Sequence, residues 1–240
     1  MKQRNQFYAG VRDGLAIGLG YLPVSFAFGI FALGHGLSVL QSVIISITNL
    51  TSAGQLAAVP IIASCGTLTE LALTEFIINL RYALMSISLS QKLDADVRMR
   101  DRFIMSFAMT DEIFATASTR KEDIKRSYFF GLMVLPILGW SIGTLLGALA
   151  GDLLPLSITS ALGITIYGMF VAIVVPAARE DKATAICVLI SILLSCAFRY
   201  LPVLNKVSGG FTIIICAVAA SAIAAVLFPR KENETEAKHE

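Results

Sequence analysis

Charge is what this sequence has little of: Asp, Glu, Lys and Arg make up 15% of its 240 residues, and they are missing from whole stretches. There are two histidines, His35 and His239, and four cysteines, Cys65, Cys187, Cys196 and Cys216, and none stands at metal-ligand spacing from another. No metal or cofactor site is expected, and the isolated cysteines, each in an apolar run, read as packing residues. Neither a Gly-x-Ser-x-Gly elbow nor a His-Glu-x-x-His string occurs, so nothing marks a catalytic nucleophile or a metal-bound water. The net charge of +2 is small, and the basic residues follow the loops instead of forming a patch, which argues against nucleic acid.

What fills the gaps is hydrocarbon. Gly14 to Gly34, Ser127 to Gly151, Leu153 to Ala178 and Val207 to Pro229 each run for at least 21 residues without a charged side chain. About 20 apolar residues cross a bilayer as helix, so these are four membrane spans. Leu71 to Ser90 and Ala183 to Tyr200 are two more, less clean because of Glu75, Asn79 and Arg81 in the first and Arg199 in the second. The first run starts after Lys2, Arg4 and Arg12 and carries Pro23 at its middle, which does not fit a short cleavable signal. The expectation is one polytopic domain over residues 1–230 in a lipid bilayer, with a solvated, disordered cytoplasmic tail over 231–240.

Loop charge sets the topology. The loop from Lys92 to Arg102 and the next, from Arg120 to Arg126, each carry four basic residues and both read as cytoplasmic. Phe103 to Ser118 would then enter and leave on one side; its 16 residues reach about 24 Å as helix, short of the roughly 30 Å hydrocarbon core. Parity asks the same of Ser38 to Thr69, which is interrupted by Thr48-Asn49-Leu50-Thr51-Ser52-Ala53-Gly54-Gln55 and reads as two half-helices. The fold expected is all-α, with about six transmembrane helices plus two re-entrant or broken segments and both termini cytoplasmic. Of the 19 Lys and Arg, that arrangement puts all but Arg81, Arg199 and Lys206 on the cytoplasmic side. Eight simple spans are the alternative. A faint repetition also links Leu22-Pro23 and Gly29 with Leu135-Pro136 and Gly143.

The polar residues at bilayer depth are the candidate site. Carboxylates there are costly and mark ion or substrate paths. Thr110-Asp111-Glu112 places two side by side, diverging by about 100° on a helix, so one can pair with a cation while the other faces a pathway and takes up a proton. Glu75 and Asn79, four apart, share a helix face, whereas Arg81 points elsewhere and needs a partner from another segment. The assignment made here gives Glu112 to the ion pair with Arg81 and Asp111 to the pathway; a purely structural ion pair is the competing reading. Pro23 removes a backbone donor and makes the first span a candidate broken helix, or a packing kink. A half-helix starting near Ser52 would aim free N–H groups at the midplane, where an amino acid carboxylate would sit. Ser52, Gly54 and Gln55, with Asn49, would hold that carboxylate while Tyr21, Phe26 and Phe28 flank an apolar side chain. Asn49 and Gln55 could instead only join helices.

The strings Gly20-Tyr21-x-Pro23-x-x-Phe26-Ala27-Phe28-Gly29, Ala53-Gly54-Gln55, Asn79-Leu80-Arg81-Tyr82-Ala83-Leu84-Met85 and Thr110-Asp111-Glu112-Ile113-Phe114 together resemble the azaleucine-resistance (AzlC) family of branched-chain amino acid exporters. Tyr82 stands where many relatives carry histidine, which removes a titrating imidazole from that place. The resemblance implies a bacterial inner-membrane permease exporting valine, leucine, isoleucine or methionine with a small AzlD-type membrane subunit. Protons are the coupling ion that the adjacent carboxylates point to. A passive channel and an intramembrane enzyme using Asp111, Glu112 and Arg81 are the readings from other classes.

Overall fold

The structure is a computed structural model, in which residues 2–151, 155, 164, 168, 170–171 and 174–229 are described. Among them there are helices and no strands, and five helices are long and apolar enough to cross a membrane. These begin with α1, Lys2–Gly34, and α4, Leu68–Ser90. The other three are α7, Arg126–Ala150, α8, Lys182–Tyr200, and α9, Gly209–Leu227. The span expected over 153–178 lies largely outside the described residues. Four shorter helices fill the two places where broken segments are expected. They are α2, Val39–Thr48, and α3, Ser52–Ala63, then α5, Met99–Phe107, and α6, Asp111–Ser118.

Contacts gather the chain into two units, Met1–Gly168 and Met169–Glu240. The second contains α8 and α9, which pack on one another and are joined through a short 3-10 turn at Leu204–Lys206. Asp181 caps α8 by accepting from Ala183 N and Thr184 N.

The first unit is organised by α1 and α7, its most extensive pairing. Their contacts advance together along both chains: Gly10 meets Tyr128 and Leu132, Gly18 meets Leu135 and Gly139, and Gly29 meets Thr144 and Ala148. The two helices therefore run parallel. Glycine is required because backbone touches backbone: a Cβ on Gly29 would lie 2.6 Å from Ala148 N, and one on Gly147 would collide with the Phe26 carbonyl. The strings around Pro23 and Pro136 lie on this same pair. Helix α1 runs through Pro23 without interruption, so of the two readings of that proline the broken helix is not the one found. Two residues on, Ser25 Oγ donates to the Tyr21 carbonyl at 2.8 Å.

Each short-helix pair is a hairpin. Helix α2 starts beside Leu37, which packs with Phe28, Ala32 and Val59; Ser46 lies 2.7 Å from Thr144, and Leu50 reaches Tyr21 and Trp140. Helix α3 then climbs back, because its Val59 rejoins Phe28, Ala32 and Leu37. Helix α5 starts at the opposite end, where buried Asp101 binds Arg126 at 3.2 Å. The chain reaches Tyr21 at Thr110, and α6 returns to the Lys92 loop, whose ammonium caps the Ser118 and Arg120 carbonyls. Lys92 to Asp94 and Ile124 exchange backbone hydrogen bonds, so the two basic loops share one end. Among the described residues this gives five long helices and two broken hairpins in the places expected for them, and the second hairpin begins at Met99, four residues before the expected Phe103.

Exposed Phe76, Leu84 and Ile87 on α4 and Leu145, Leu146 and Leu149 on α7 suit a lipid-facing surface.

Candidate functional site

The tips of the two hairpins, Asn49–Thr51 and Ala108–Thr110, approach the middle of α1 from opposite ends. Leu50 packs against Tyr21, and the Tyr21 hydroxyl lies 2.7 Å from Thr110 Oγ1. Two helices therefore start at depth, α3 at Ser52 and α6 at Asp111, and they differ in one respect. Thr110 caps α6 by accepting from Ile113 N at 3.3 Å, whereas the Thr51 side chain makes no cap hydrogen bond. Its Oγ1 accepts instead from the Tyr82 hydroxyl at 3.2 Å. The first helix-internal bond of α3 is Gln55 N to the Thr51 carbonyl, so the N–H groups of Ser52, Ala53 and Gly54 remain directed off the helix end.

Around that end the polar residues form two networks. Gln55, fully buried, donates from Nε2 to the Asn49 carbonyl at 2.6 Å, and its Oε1 accepts from Trp140 Nε1 at 3.1 Å. Gln55 thereby fixes the break of the first hairpin to α7. On the other side Glu75 Oε2 accepts from Asn49 Nδ2 at 3.0 Å and from Asn79 Nδ2 at 2.8 Å, as expected for two residues on one face of α4. Gly54 is the residue that lets Glu75 approach α3: a Cβ there would fall 2.5 Å from Glu75 Oε2.

Arg81 finds its partner on α6, and it is Asp111, with Nη1 2.9 Å from Oδ2. Glu112 is turned the other way, and its Oε2 lies 2.6 Å from the Tyr21 hydroxyl. The ion pair with Arg81, assigned from sequence to Glu112, is thus made by Asp111. The reason is how α6 docks: Ile113 and Ala117 are buried against α7 and α4, which leaves Asp111 towards α4 and Glu112 towards α1. A continuous chain of contacts, Asp111–Arg81–Tyr82–Thr51, links the tip of one hairpin to that of the other.

A narrow crevice lined by Val24, Phe28, Leu56 and Trp140, with Ser52 and Gln55 at its polar edge, adjoins the α3 end. It is too tight here for a water molecule. Phe28 belongs to it; Tyr21 stacks edge-on with Trp140 at 5.0 Å behind it, while Phe26 is not among its walls and Pro23 is exposed. Trp140, Tyr82, Thr51 and Thr110 were not singled out as site residues from sequence. A lone Trp inside a 25-residue uncharged run was the one available signal, since an indole N–H at depth needs an acceptor. Among the described residues no group of three or more His, Cys, Asp or Glu could hold a metal ion.

Residues 16–154, which contain α2 to α7 and the part of α1 from residue 16 onward, match the family described as AzlC protein. The chain is 28% identical over 190 residues to the inner membrane protein YgaZ of Escherichia coli (strain K12), covering 76% of each. It is 30% identical over 172 residues to an uncharacterized membrane protein of Archaeoglobus fulgidus, covering 71% of this chain and 75% of that one. No solved structure matches. With its helical membrane architecture and a match over more than half of its length, this chain belongs to the AzlC family of membrane proteins.

Proposed function

We propose that the protein is a secondary transporter that exports branched-chain amino acids, and methionine, across the bacterial inner membrane. The observation that carries this is the uncapped N-terminus of α3 at membrane depth beside an apolar crevice. Free N–H groups and the positive end of the helix favour a carboxylate. The walls Val24, Phe28, Leu56 and Trp140 favour an aliphatic side chain over a polar one. Because the crevice is closed, substrate entry requires the α3 tip to move against α1 and α7.

Protons are the proposed coupling ion, carried by Glu112, which is exposed and accepts a hydrogen bond from the Tyr21 hydroxyl. A small AzlD-type membrane subunit is the proposed partner. Support comes from the flank formed by Arg81 and Asp111, whose side chains are 40% and 32% exposed and would need cover in hydrocarbon.

The test is efflux from cells preloaded with dipeptides of valine, leucine or methionine, with and without the candidate subunit. Saturable export that collapses with the proton gradient is expected. Non-saturable leakage indifferent to the gradient would establish a passive channel instead.

A further inference from the structure

We infer that Glu75 and Asn79 form an ammonium-binding pole, so that the substrate is held as a zwitterion through both of its charged ends. The inference rests on the amino acid reading above and adds the group that separates an amino acid from its des-amino analogue.

Glu75 uses one oxygen only. Oε2 accepts from Asn49 and Asn79, while Oε1 is closed off from solvent and has no hydrogen-bond partner among the described residues. Asn79 spends Nδ2 on Glu75, which leaves its Oδ1 closed off and unpartnered as well. Buried acceptors in this state are uncommon in folded proteins and point to something that completes them. Both are acceptors on one helix face, so the completing group brings donors. Beside a carboxylate it brings positive charge too. An ammonium, with three N–H donors and no acceptor, matches both requirements. The nearest cation on the same helix does not serve, since Arg81 is directed at Asp111 and Tyr82.

Position completes the case. The Gly54 contact puts Glu75 Oε2 against the first turn of α3, whose free N–H groups take the carboxylate. In an α-amino acid the two charged groups share one carbon atom, so their binding poles must be neighbours, as these are.

The experiment measures binding to the purified full-length protein of leucine, of 4-methylpentanoate, which lacks the ammonium, and of isoamylamine, which lacks the carboxylate. Leucine is expected to bind at least about tenfold more tightly than 4-methylpentanoate. Glu75→Gln should erase that difference by weakening leucine and isoamylamine alone, with 4-methylpentanoate serving as an internal control of folding. Asn79→Ser, which removes Oδ1 and keeps the carboxylate, is the second arm and should narrow the difference in the same direction. Equal affinity of the wild type for leucine and 4-methylpentanoate overturns the inference. So does a Glu75→Gln protein that still prefers leucine, or stabilisation by sodium ions alone that depends on Glu75. Binding of neither acid by the wild type is a separate outcome, because it removes the amino acid reading itself.

Discussion

Arg81 on α4 and Asp111 at the start of α6 meet at 2.9 Å, and this contact fastens the second hairpin to the helix that carries Glu75 and Asn79. Both side chains are partly exposed, so the pair is worth less than a fully buried one. Asp111→Asn and Arg81→Gln should each lower stability by about 1 to 3 kcal/mol, mostly through the charge left unpaired. The double variant should recover part of the loss. Thermal unfolding of the three proteins in one detergent is the check, and strictly additive losses would show that the two residues are not coupled.

Glu112 has a different partner and a different expected phenotype. Held by the Tyr21 hydroxyl at 2.6 Å instead of by a cation, it leaves no stranded charge when neutralised. Glu112→Gln should accumulate normally and exchange bound amino acid across proteoliposome membranes, yet fail to follow an imposed pH gradient. Gradient-driven efflux by this variant at the wild-type rate would remove Glu112 as the coupling group.

Gly54 tests the contact between α3 and α4. A methyl group there would lie 2.5 Å from Glu75 Oε2 and 2.8 Å from Thr51 Cγ2, so Glu75 must move or the hairpin must open. Gly54→Ala should cut efflux severely and Gly54→Val abolish it, with the protein still inserted. Unchanged efflux kinetics in both would place the substrate away from this turn.

The α1 and α7 scaffold should be sensitive to single methyl groups. Gly139→Ala and Gly147→Ala force the helices apart and are expected to cost at least about 1 to 3 kcal/mol each, the usual range for overpacking. Gly20 has no atom within 4 Å of a would-be Cβ, so Gly20→Ala is the control and should be neutral. Equal unfolding temperatures for all three would contradict the close parallel packing.

Sidedness follows from which loops share an end. In a background without the native cysteines, single cysteines at exposed Asp96 and Thr119 should react with an impermeant thiol reagent from one side, and a cysteine at Gly36 from the other. From the loop charges the first side is expected to be the cytoplasmic one. Labelling of positions 96 and 119 from opposite sides would restore eight simple spans.

The sequence by itself indicated an all-helical first unit with long spans and breaks, and left open whether the polar stretches were broken segments or further simple spans. Uncharged runs long enough to span read directly as α1 and α7, and a polar string inside an apolar run read directly as the break before Ser52, because unsatisfied backbone in hydrocarbon must end a helix where other groups can receive it. It also showed that Arg81 does not share a helix face with Glu75, since residue spacing on one helix fixes which side chains share a face. Spacing carries no information about a neighbouring helix. Whether Asp111 or Glu112 faced Arg81 depended on the rotation of α6, which Ile113 and Ala117 set by packing on α7 and α4. The same holds for Trp140, an apolar residue in an apolar run until the hairpin brought Gln55 Oε1 within 3.1 Å of its N–H. Pro23 shows the converse limit: a proline removes one donor wherever it stands, but helix α1 continues through it, packed along its length against α7, whose contacts outweigh that single lost interaction.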